Sequence, residues 1–230
     1  MNTLNEYFKK NHKPKIFTHN SVEKKPDLQT KTIQGKRFYI LPDGSKLPSI
    51  TTVLSARGNE GIARWRASVG EQVANTIMRN AANRGTAVHT LTENYLNNEE
   101  LSQQGVLPTA LFTILKTELD KINNIVMQEG SLYSEKWGVA GRVDCIAEYD
   151  GKLSVIDFKT STKDKKEEWV ENYFIQTAFY AAAFYERTGI PIKQGVILIS
   201  VDEHEPQVFK IPTFKYIPRL LEIKKQFGFK

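Results

Sequence analysis

VAGRVDCIAEYDGKLSVIDFKTS, residues 139–161, contains two strand-like segments joined by Asp150-Gly151. An Asp-Gly pair between two such segments is among the strongest sequence signals for a two-residue hairpin turn. If this pair forms the turn, the antiparallel pairing that follows places Asp144 directly opposite Asp157. Both carboxylates then lie on one face of the hairpin.

Two opposed carboxylates need a physical reason to stay together. Directly opposed residues have Cβ atoms ~4.5–5.5 Å apart, and like charges at that distance repel. A divalent cation removes the repulsion, since Mg²⁺ prefers carboxylate oxygens. Lys159 follows Asp157 on the same face, with Arg142 opposite it, so this face suits a phosphodiester beside a metal. The alternative is an exposed strand face with ordinary ion pairs, and a bulge would change the register.

A helical segment upstream offers further candidates. Gly85, His89 and Glu93 are spaced one helical turn apart and share a face. His89 is a candidate metal ligand and Glu93 a secondary candidate, while Arg84 and Thr86 are candidate substrate contacts. The alternative is an ordinary histidine packed against a sheet.

Downstream residues suggest substrate contacts, each with a structural alternative. Gln176 and Tyr180 lie one turn apart on an alanine-rich helix and either reach a phosphate or form a buried tyrosine–glutamine hydrogen bond. Thr160 and Ser161 at the end of a strand suit phosphate contact but are also ordinary loop residues. Trp137, just before the hairpin, either stacks on a base or belongs to the core.

The order of helical and strand-like segments predicts a mixed α/β (α+β) fold, with a central sheet flanked by helices and a helical N-terminal insertion. Pro42-Asp43-Gly44 predicts a small hairpin, and Gly85 is expected to break or kink the helical region. We expect a flexible basic arm at 1–31 and a single domain at 32–230, comprising a helical part at about 61–123, a catalytic sheet core at about 124–212 and a C-terminal helix at about 214–228.

Composition restricts the classes of function only loosely. The chain has 230 residues, with 32 Lys and Arg against 26 Asp and Glu, and a net charge of +6. This excess is compatible with a polyanionic partner without requiring one. Cys145 is the single cysteine, which excludes an internal disulfide and a four-cysteine iron–sulfur cluster. The sequence has no run of ~20 apolar residues and no signal-peptide pattern, so we expect no membrane association and a reducing cytosol.

Four motifs occur in the order typical of the RecB-like branch of the PD-(D/E)XK nuclease superfamily, which this chain resembles. They are Gly85 to His89, Gly141 to Asp144, Asp157 to Lys159 and Gln176 to Tyr180, matching G-x-x-x-H, G-R-x-D, D-x-K and Q-x-x-x-Y. RFYILPDGSKLPSITTVL, residues 37–54, also looks like phage exonucleases related to the mitochondrial genome maintenance exonuclease.

The resemblance implies a restriction-endonuclease-like fold and a site for one or two Mg²⁺ or Mn²⁺ ions. Lys159 would assist catalysis, and Gln176 and Tyr180 would position the scissile strand. No iron–sulfur cluster is expected, because the C-terminal cysteines of the members that carry one are missing. The implied metal ligands are His89, Asp144, Asp157 and the backbone carbonyl of Phe158.

From these observations we expect a metal-dependent DNA exonuclease acting on single-stranded or flap DNA in phage-type replication, recombination or repair. By the resemblance, the helices at 61–82 and 108–123 would form an arch over the strand. The alternatives are a duplex end-resecting or structure-specific endonuclease and an inactive DNA-binding module. Partners are expected to be DNA with single strands or free ends, and unidentified replication or recombination proteins. A lysine-rich arm that contains acids but no arginine favours the host cytoplasm over the mitochondrial matrix.

Overall fold

The computed structural model describes residues 15–20, 27–55 and 59–227. Within these ranges, no helix is both long and apolar enough to cross a membrane. The strands are β1 (Thr30–Ile33), β2 (Lys36–Ile40), β3 (Lys46–Pro48), β4 (Ile122–Ser134), β5 (Val139–Tyr149), β6 (Lys152–Ser161), β7 (Gln194–Val201) and β8 (Gln207–Pro212). The α-helices are α1 (Ile50–Ser55), α2 (Asn59–Val69), α3 (Glu71–Leu96), α4 (Val106–Leu119), α5 (Glu171–Thr188) and α6 (Ile217–Phe227).

The strands form two sheets. A small antiparallel sheet has the order β1-β2-β3, and its β2–β3 hairpin confirms the turn predicted at Pro42-Asp43-Gly44. The central sheet has the order β4-β5-β6-β7-β8, with β6 and β7 parallel and the other neighbours antiparallel. Helix α5 connects the two parallel strands. This mixed sheet, flanked by helices, confirms the predicted restriction-endonuclease-like fold.

The β5–β6 hairpin has the predicted turn and register. Asp150 and Gly151 have φ angles of 50° and 71°, so both central residues are left-handed, as a type I′ turn requires. Pairing begins at Tyr149–Lys152 and runs to Cys145–Ile156. It ends one step before the two aspartates would face each other, so the strands diverge where the predicted site begins.

Side chains on the two faces of the central sheet form two separate cores. On one face, residues of β5, β6 and β7 pack against α1, α5 and α6. On the other face, alternate residues of the same strands pack against α3 and α4. Helix α5 packs so closely on β7 that a Cβ on Gly195 would lie only 2.7 Å from Thr177 Oγ1. A small residue at this position therefore allows the helix and the sheet to approach.

The helical region breaks at Gly70 rather than at Gly85. Gly70 has a φ of 87° and separates α2 from α3, whereas α3 continues through Gly85. The predicted break at Gly85 is therefore wrong. The first half of α3 is largely exposed, whereas its second half packs against the sheet through residues such as Leu91 and Leu96.

Helix α4 does not form half of an arch. Its residues Leu111 and Leu115 are buried, and it packs against α3 and β7. The prediction that the helices at 61–82 and 108–123 together form an arch over the DNA strand is therefore wrong for 108–123. By contrast, α2 and the first half of α3 are largely exposed.

Part of the predicted N-terminal arm is docked. Phe17 is 2% exposed and packs edge-on against Tyr95. Its backbone N–H donates to Asn98 Oδ1 at 2.8 Å, and His19 bridges to Ile125 on β4. Residues 15–20 are thus held against the domain. Residues 1–14 and 21–26 of the arm lie outside the described residues.

Candidate active site

Three potential metal ligands converge at one end of the central sheet. His89 on α3, Glu129 on β4 and Asp144 on β5 each offer a ligand atom within 4.8 Å of the other two. His89 Nδ1 lies 3.9 Å from Glu129 Oε1 and 3.9 Å from Asp144 Oδ2. The structure therefore brings together the predicted His89 and Asp144, and adds a carboxylate that the sequence did not indicate.

Glu129 reaches the site through the register of β4 and β5. Gln128 pairs with Cys145 and Gly130 with Val143, which places Glu129 across from Asp144. Its φ of 47° is left-handed, a conformation uncommon in residues other than glycine. The β4–β5 connection is a four-residue turn, 135–138, closed by a 3.1 Å hydrogen bond from the N–H of Gly138 to the carbonyl of Glu135, and this turn sets the register.

The two predicted aspartates lie close together but have different contacts. Asp144 Oδ2 accepts a hydrogen bond of 2.9 Å from the backbone N–H of Phe158. Asp157 is 1% exposed, and Lys159 Nζ contacts its Oδ2 as an ion pair. Apart from the Lys159 ammonium on Oδ2, neither oxygen of Asp157 has a hydrogen-bond partner among the described residues. The buried Oδ1 is therefore suited to binding a cation.

The pKa values reflect the concentration of negative charge. Burial lowers the pKa of His89, but the Asp144 and Glu129 carboxylates outweigh burial and raise it to about 9. Burial raises the pKa of Asp157 to about 6, the Lys159 ammonium opposing this shift and the Asp144 carboxylate adding to it. Burial lowers the pKa of Lys159, but the same two aspartates raise it above its ordinary value. Lys159 therefore remains an ammonium group in the site.

The backbone carbonyl of Phe158 lies beside His89 and Lys159 in the same site. Its oxygen lies 2.9 Å from His89 Nε2 and 3.3 Å from Lys159 Nζ. The 2.9 Å separation is a hydrogen bond that the Nε2–H of His89 donates to this carbonyl, whereas Nδ1, on the other side of the ring, faces the carboxylates of Glu129 and Asp144. The donor set of carboxylates, one carbonyl and one imidazole fits Mg²⁺ or Mn²⁺.

These groups open onto a pocket of about 660 Å³. The pocket contains predicted residues from α3, β5 and β6, and also residues of the small sheet that the sequence did not assign to the site. Arg142 is 43% exposed, and its Nη2 lies 3.6 Å from Asp27 Oδ2. The lining is Thr30, Arg37, Tyr39, Gly85, Thr86, His89, Thr90, Glu93, Glu129, Arg142, Phe158, Lys159 and Thr160.

Three predicted substrate contacts are engaged elsewhere. Trp137 is 6% exposed and belongs to the core, so it cannot stack on a base. Ser161 donates its hydroxyl to the carbonyl of Lys163 at 2.6 Å within a turn. Arg84 is largely buried and pairs with Asp202 at 3.4 Å outside the pocket lining. For these residues the structure supports the core and loop alternatives.

Gln176 and Tyr180 are also buried. Tyr180 donates its hydroxyl to the backbone carbonyl of Arg142 at 2.7 Å, and Gln176 Nε2 lies 3.5 Å from the same hydroxyl. A Cβ on Gly141 would lie 2.7 Å from Tyr180 Oη. The absence of a side chain at Gly141, in the G-R-x-D motif, thus allows Tyr180, in the Q-x-x-x-Y motif, to pack against β5. Their described contacts hold β5 against α5, and the predicted contact with a scissile strand is not supported.

The fold and the site define a class of protein. Residues 110–219 match the PD-(D/E)XK nuclease superfamily. The matched region contains Asp144, Asp157 and Lys159, whereas His89 precedes it.

Two curated relatives are called mitochondrial genome maintenance exonuclease 1. The Homo sapiens protein is 25% identical over 176 residues, covering 70% of this chain and 51% of the relative. The Mus musculus protein is 28% identical over 117 residues, covering 50% of this chain and 33% of the relative. The chain thus spans about half, or less, of the length of the curated relatives it matches. A solved structure, that of SSO0001, aligns with a TM-score of 0.38 and 18% identity over 72% of this chain and 69% of that one.

Proposed function

We propose that this protein is a metal-dependent DNA exonuclease that acts on single-stranded or flap DNA in phage-type replication, recombination or repair. The observation that carries the proposal is the convergence of His89, Glu129 and Asp144 beside the buried Asp157–Lys159 pair. Of these residues, His89, Glu129 and Lys159 line one pocket, and residues 110–219 match the nuclease superfamily. The exonuclease named among the relatives supports the same activity.

The proposed cofactor is Mg²⁺ or Mn²⁺, as one or two ions. A divalent ion bound here supplies positive charge to the phosphodiester oxygens and acidifies water. The buried Oδ1 of Asp157, which has no hydrogen-bond partner within the described residues, is the strongest reason to include this residue in the ligand set. The proposed ligands are His89, Glu129, Asp144, Asp157 and the carbonyl of Phe158.

Lys159 is proposed to stabilise the charge that develops on the phosphate. Its ammonium contacts Asp157, lies 3.3 Å from the carbonyl of Phe158, and lies 5.1 Å from the ring centroid of Tyr173. These contacts fix its position before substrate binds, so little reorganisation is needed during reaction. A charge held in a partly buried site is also worth more than one in bulk water.

The DNA strand is proposed to run from the pocket along helix α3. Thr86 and Thr90 line the pocket, and α3 extends beyond it as the exposed half that packs with α2. Ile77 is 46% exposed and Met78 is 45% exposed on this half, which offers apolar surface to unpaired bases. This arrangement favours a single strand or a flap over an intact duplex.

The test is digestion of 5′- and 3′-labelled linear DNA, single-stranded and duplex, with Mg²⁺ or Mn²⁺ and with EDTA. We expect metal-dependent release of nucleotides from single-stranded ends. Asp157→Asn and Lys159→Ala are each expected to lower the rate at least ~100-fold, the typical loss for one electrostatic group in an active site. The matched controls are Asp150→Asn and Lys152→Ala, at the other end of the same hairpin. Undiminished activity in EDTA, or in both site variants, would contradict the proposal.

Two alternatives are decided by related measurements. A duplex end-resecting or structure-specific endonuclease would prefer duplex or branched substrates, and cleavage of a closed circle would show that no free end is needed. An inactive DNA-binding module would release no nucleotides and would bind no Mn²⁺ in calorimetry. The buried Oδ1 of Asp157, which has no partner among the described residues, argues against the inactive module.

We also propose that the protein works in a reducing compartment, the host cytoplasm if it is phage-encoded. Cys145 is fully buried, and burial raises the pKa of its thiol, which keeps the thiol protonated and unreactive. Imaging of a tagged protein in host cells would test this, and an extracytoplasmic location would contradict it. Replication or recombination proteins remain the proposed partners, to be tested by affinity purification from nuclease-treated extracts.

A further inference from the structure

The small N-terminal sheet contributes a cation to the wall of the active-site pocket. Arg37 on β2 lines the same pocket as His89, Glu129 and Lys159. Thr30, on the neighbouring strand β1, lines it too. Arg37 precedes residue 110, where the nuclease-superfamily match begins. Its participation follows from the way the small sheet docks on the central one.

The backbone of Arg37 is fixed in place. Its N–H lies 3.3 Å from Thr52 Oγ1, and its carbonyl accepts a hydrogen bond of 2.9 Å from the N–H of Ser49. Ser49 in turn forms a bridge to Ala140 on β5. The strand that carries Arg37 is therefore tied both to α1 and to the central sheet, and the side chain starts from a defined position.

The guanidinium of Arg37 is available for a ligand. Within the ranges 15–20, 27–55 and 59–227, it makes no side-chain hydrogen bond or ion pair. Other cations around the site are engaged: Lys159 contacts Asp157, and Arg142 lies 3.6 Å from Asp27. A guanidinium presents five donors in a planar fork that matches phosphate oxygens, so an unengaged one beside this site suits a phosphate.

The charges of the pocket explain why such a cation is needed. Glu93 and Glu129 line the pocket, and the carboxylates of Asp144 and Asp157 lie beside them. These carboxylates are proposed to hold a divalent ion, and they repel the phosphates on either side of the scissile one. A cation on the wall offsets that repulsion without competing for the ligands of the metal.

We propose that Arg37 forms a phosphate-binding subsite, with Thr30 beside it, for a phosphate of the DNA strand next to the one that is cut. This inference rests on the proposed function and deepens it by assigning a substrate-binding role to the small sheet. Arg37 binds and orients the strand, and it takes no part in the chemical step.

The test compares Arg37→Gln and Arg37→Lys with Lys36→Gln. Lys36 is the adjacent residue of β2, whose side chain points to the opposite face, so it controls for loss of one charge from the same strand. Binding of fluorescein-labelled single-stranded DNA is measured by anisotropy with Ca²⁺ in place of Mg²⁺, across a salt series. Thermal unfolding of each variant confirms that the fold is intact.

We expect Arg37→Gln to weaken binding about tenfold, as for loss of a charge-assisted hydrogen bond. The slope of log affinity against log salt should shrink by about 0.7, the value for one phosphate contact on a single strand. Arg37→Lys should keep the slope and recover part of the affinity. Under Mg²⁺, Arg37→Gln should raise KM more than it lowers kcat.

An unchanged salt slope and affinity in Arg37→Gln would overturn the subsite, as would an equal loss in Lys36→Gln. These outcomes are distinct from failure of the proposed function. If the wild-type protein releases no nucleotides with either metal, the nuclease proposal fails. If the wild-type protein is active and Arg37→Gln binds DNA normally, only the subsite fails.

Discussion

Gly141→Ala tests the contact that joins two of the sequence motifs. An ideal Cβ at this position would lie 2.7 Å from Tyr180 Oη, 2.8 Å from Tyr180 Cε1 and 3.1 Å from Ile50 Cγ2. Tyr180 is 2% exposed and Ile50 is 1% exposed, so neither side chain has free space to enter. The methyl group must therefore displace the tyrosine ring or the strand.

The expected cost follows from the atoms that move. Overpacking a dense core costs about 1–3 kcal/mol. Displacement of the Tyr180 ring also weakens its hydrogen bond of 2.7 Å to the carbonyl of Arg142, and such a bond contributes about 1 kcal/mol. We therefore expect Gly141→Ala to lower the free energy of unfolding by about 2–4 kcal/mol.

Urea denaturation followed by circular dichroism measures this loss. With an m value of ~2–3 kcal/mol per M, the midpoint should fall by about 1 M. Gly61→Ala is the matched control, because nothing lies within 4 Å of a Cβ at Gly61 in α2; it should be neutral or slightly stabilising. Combining Gly141→Ala with Tyr180→Phe removes the closest clash, so the double variant should lose less than the sum of the single losses. A wild-type midpoint in Gly141→Ala, or strictly additive losses, would refute the reasoning.

Three further predictions concern the metal site, the buried tyrosine and the docked segment. Glu129→Gln should weaken Mn²⁺ binding at least ~10-fold in calorimetry, because it removes one carboxylate from the cluster; unchanged affinity would exclude Glu129 from the ligand set. Tyr180→Phe should lower the unfolding free energy by about 1 kcal/mol and leave kcat within about threefold, since the bond to the Arg142 carbonyl is lost together with the longer contact from Gln176; a kcat loss of ~100-fold without lost stability would restore a catalytic role. Phe17→Ala should cost about 3 kcal/mol in urea denaturation, because Phe17 is 2% exposed; a loss below ~0.5 kcal/mol would show that the segment contributes little to stability.

Local sequence rules predicted the hairpin, because the Asp150-Gly151 turn sets the register of every later pair. Helical spacing gave His89 only as a candidate ligand, and it was the resemblance to the four motifs that placed it with Asp144, as the structure does. Glu129 could not be predicted in this way. Its position depends on the register between β4 and β5, which a four-residue turn ending in Gly138 sets without an Asp-Gly pair, and on an uncommon left-handed φ at Glu129 itself.

The roles of several polar and aromatic residues depend on exposure, which residue type does not reveal. Trp137 and Tyr180 are chemically suited to contact DNA, but packing buries both of them. Arg37 shows the opposite case. It belongs to a short strand with no catalytic pattern, and only the docking of the small sheet on β5 brings it to the pocket.

The candidate active site lies where the two cores of the central sheet meet. His89 comes from the helix on one face and packs over Phe158, with ring centroids 6.1 Å apart. Asp144 is preceded by Val143, whose side chain belongs to the core on the other face. A chain in which only one of these cores had formed would lack part of the ligand set. Nucleotide release should therefore require the fully folded domain. On heating or in denaturant, we expect the activity to be lost in the same cooperative transition as the fold, with no partly folded state that still hydrolyses DNA.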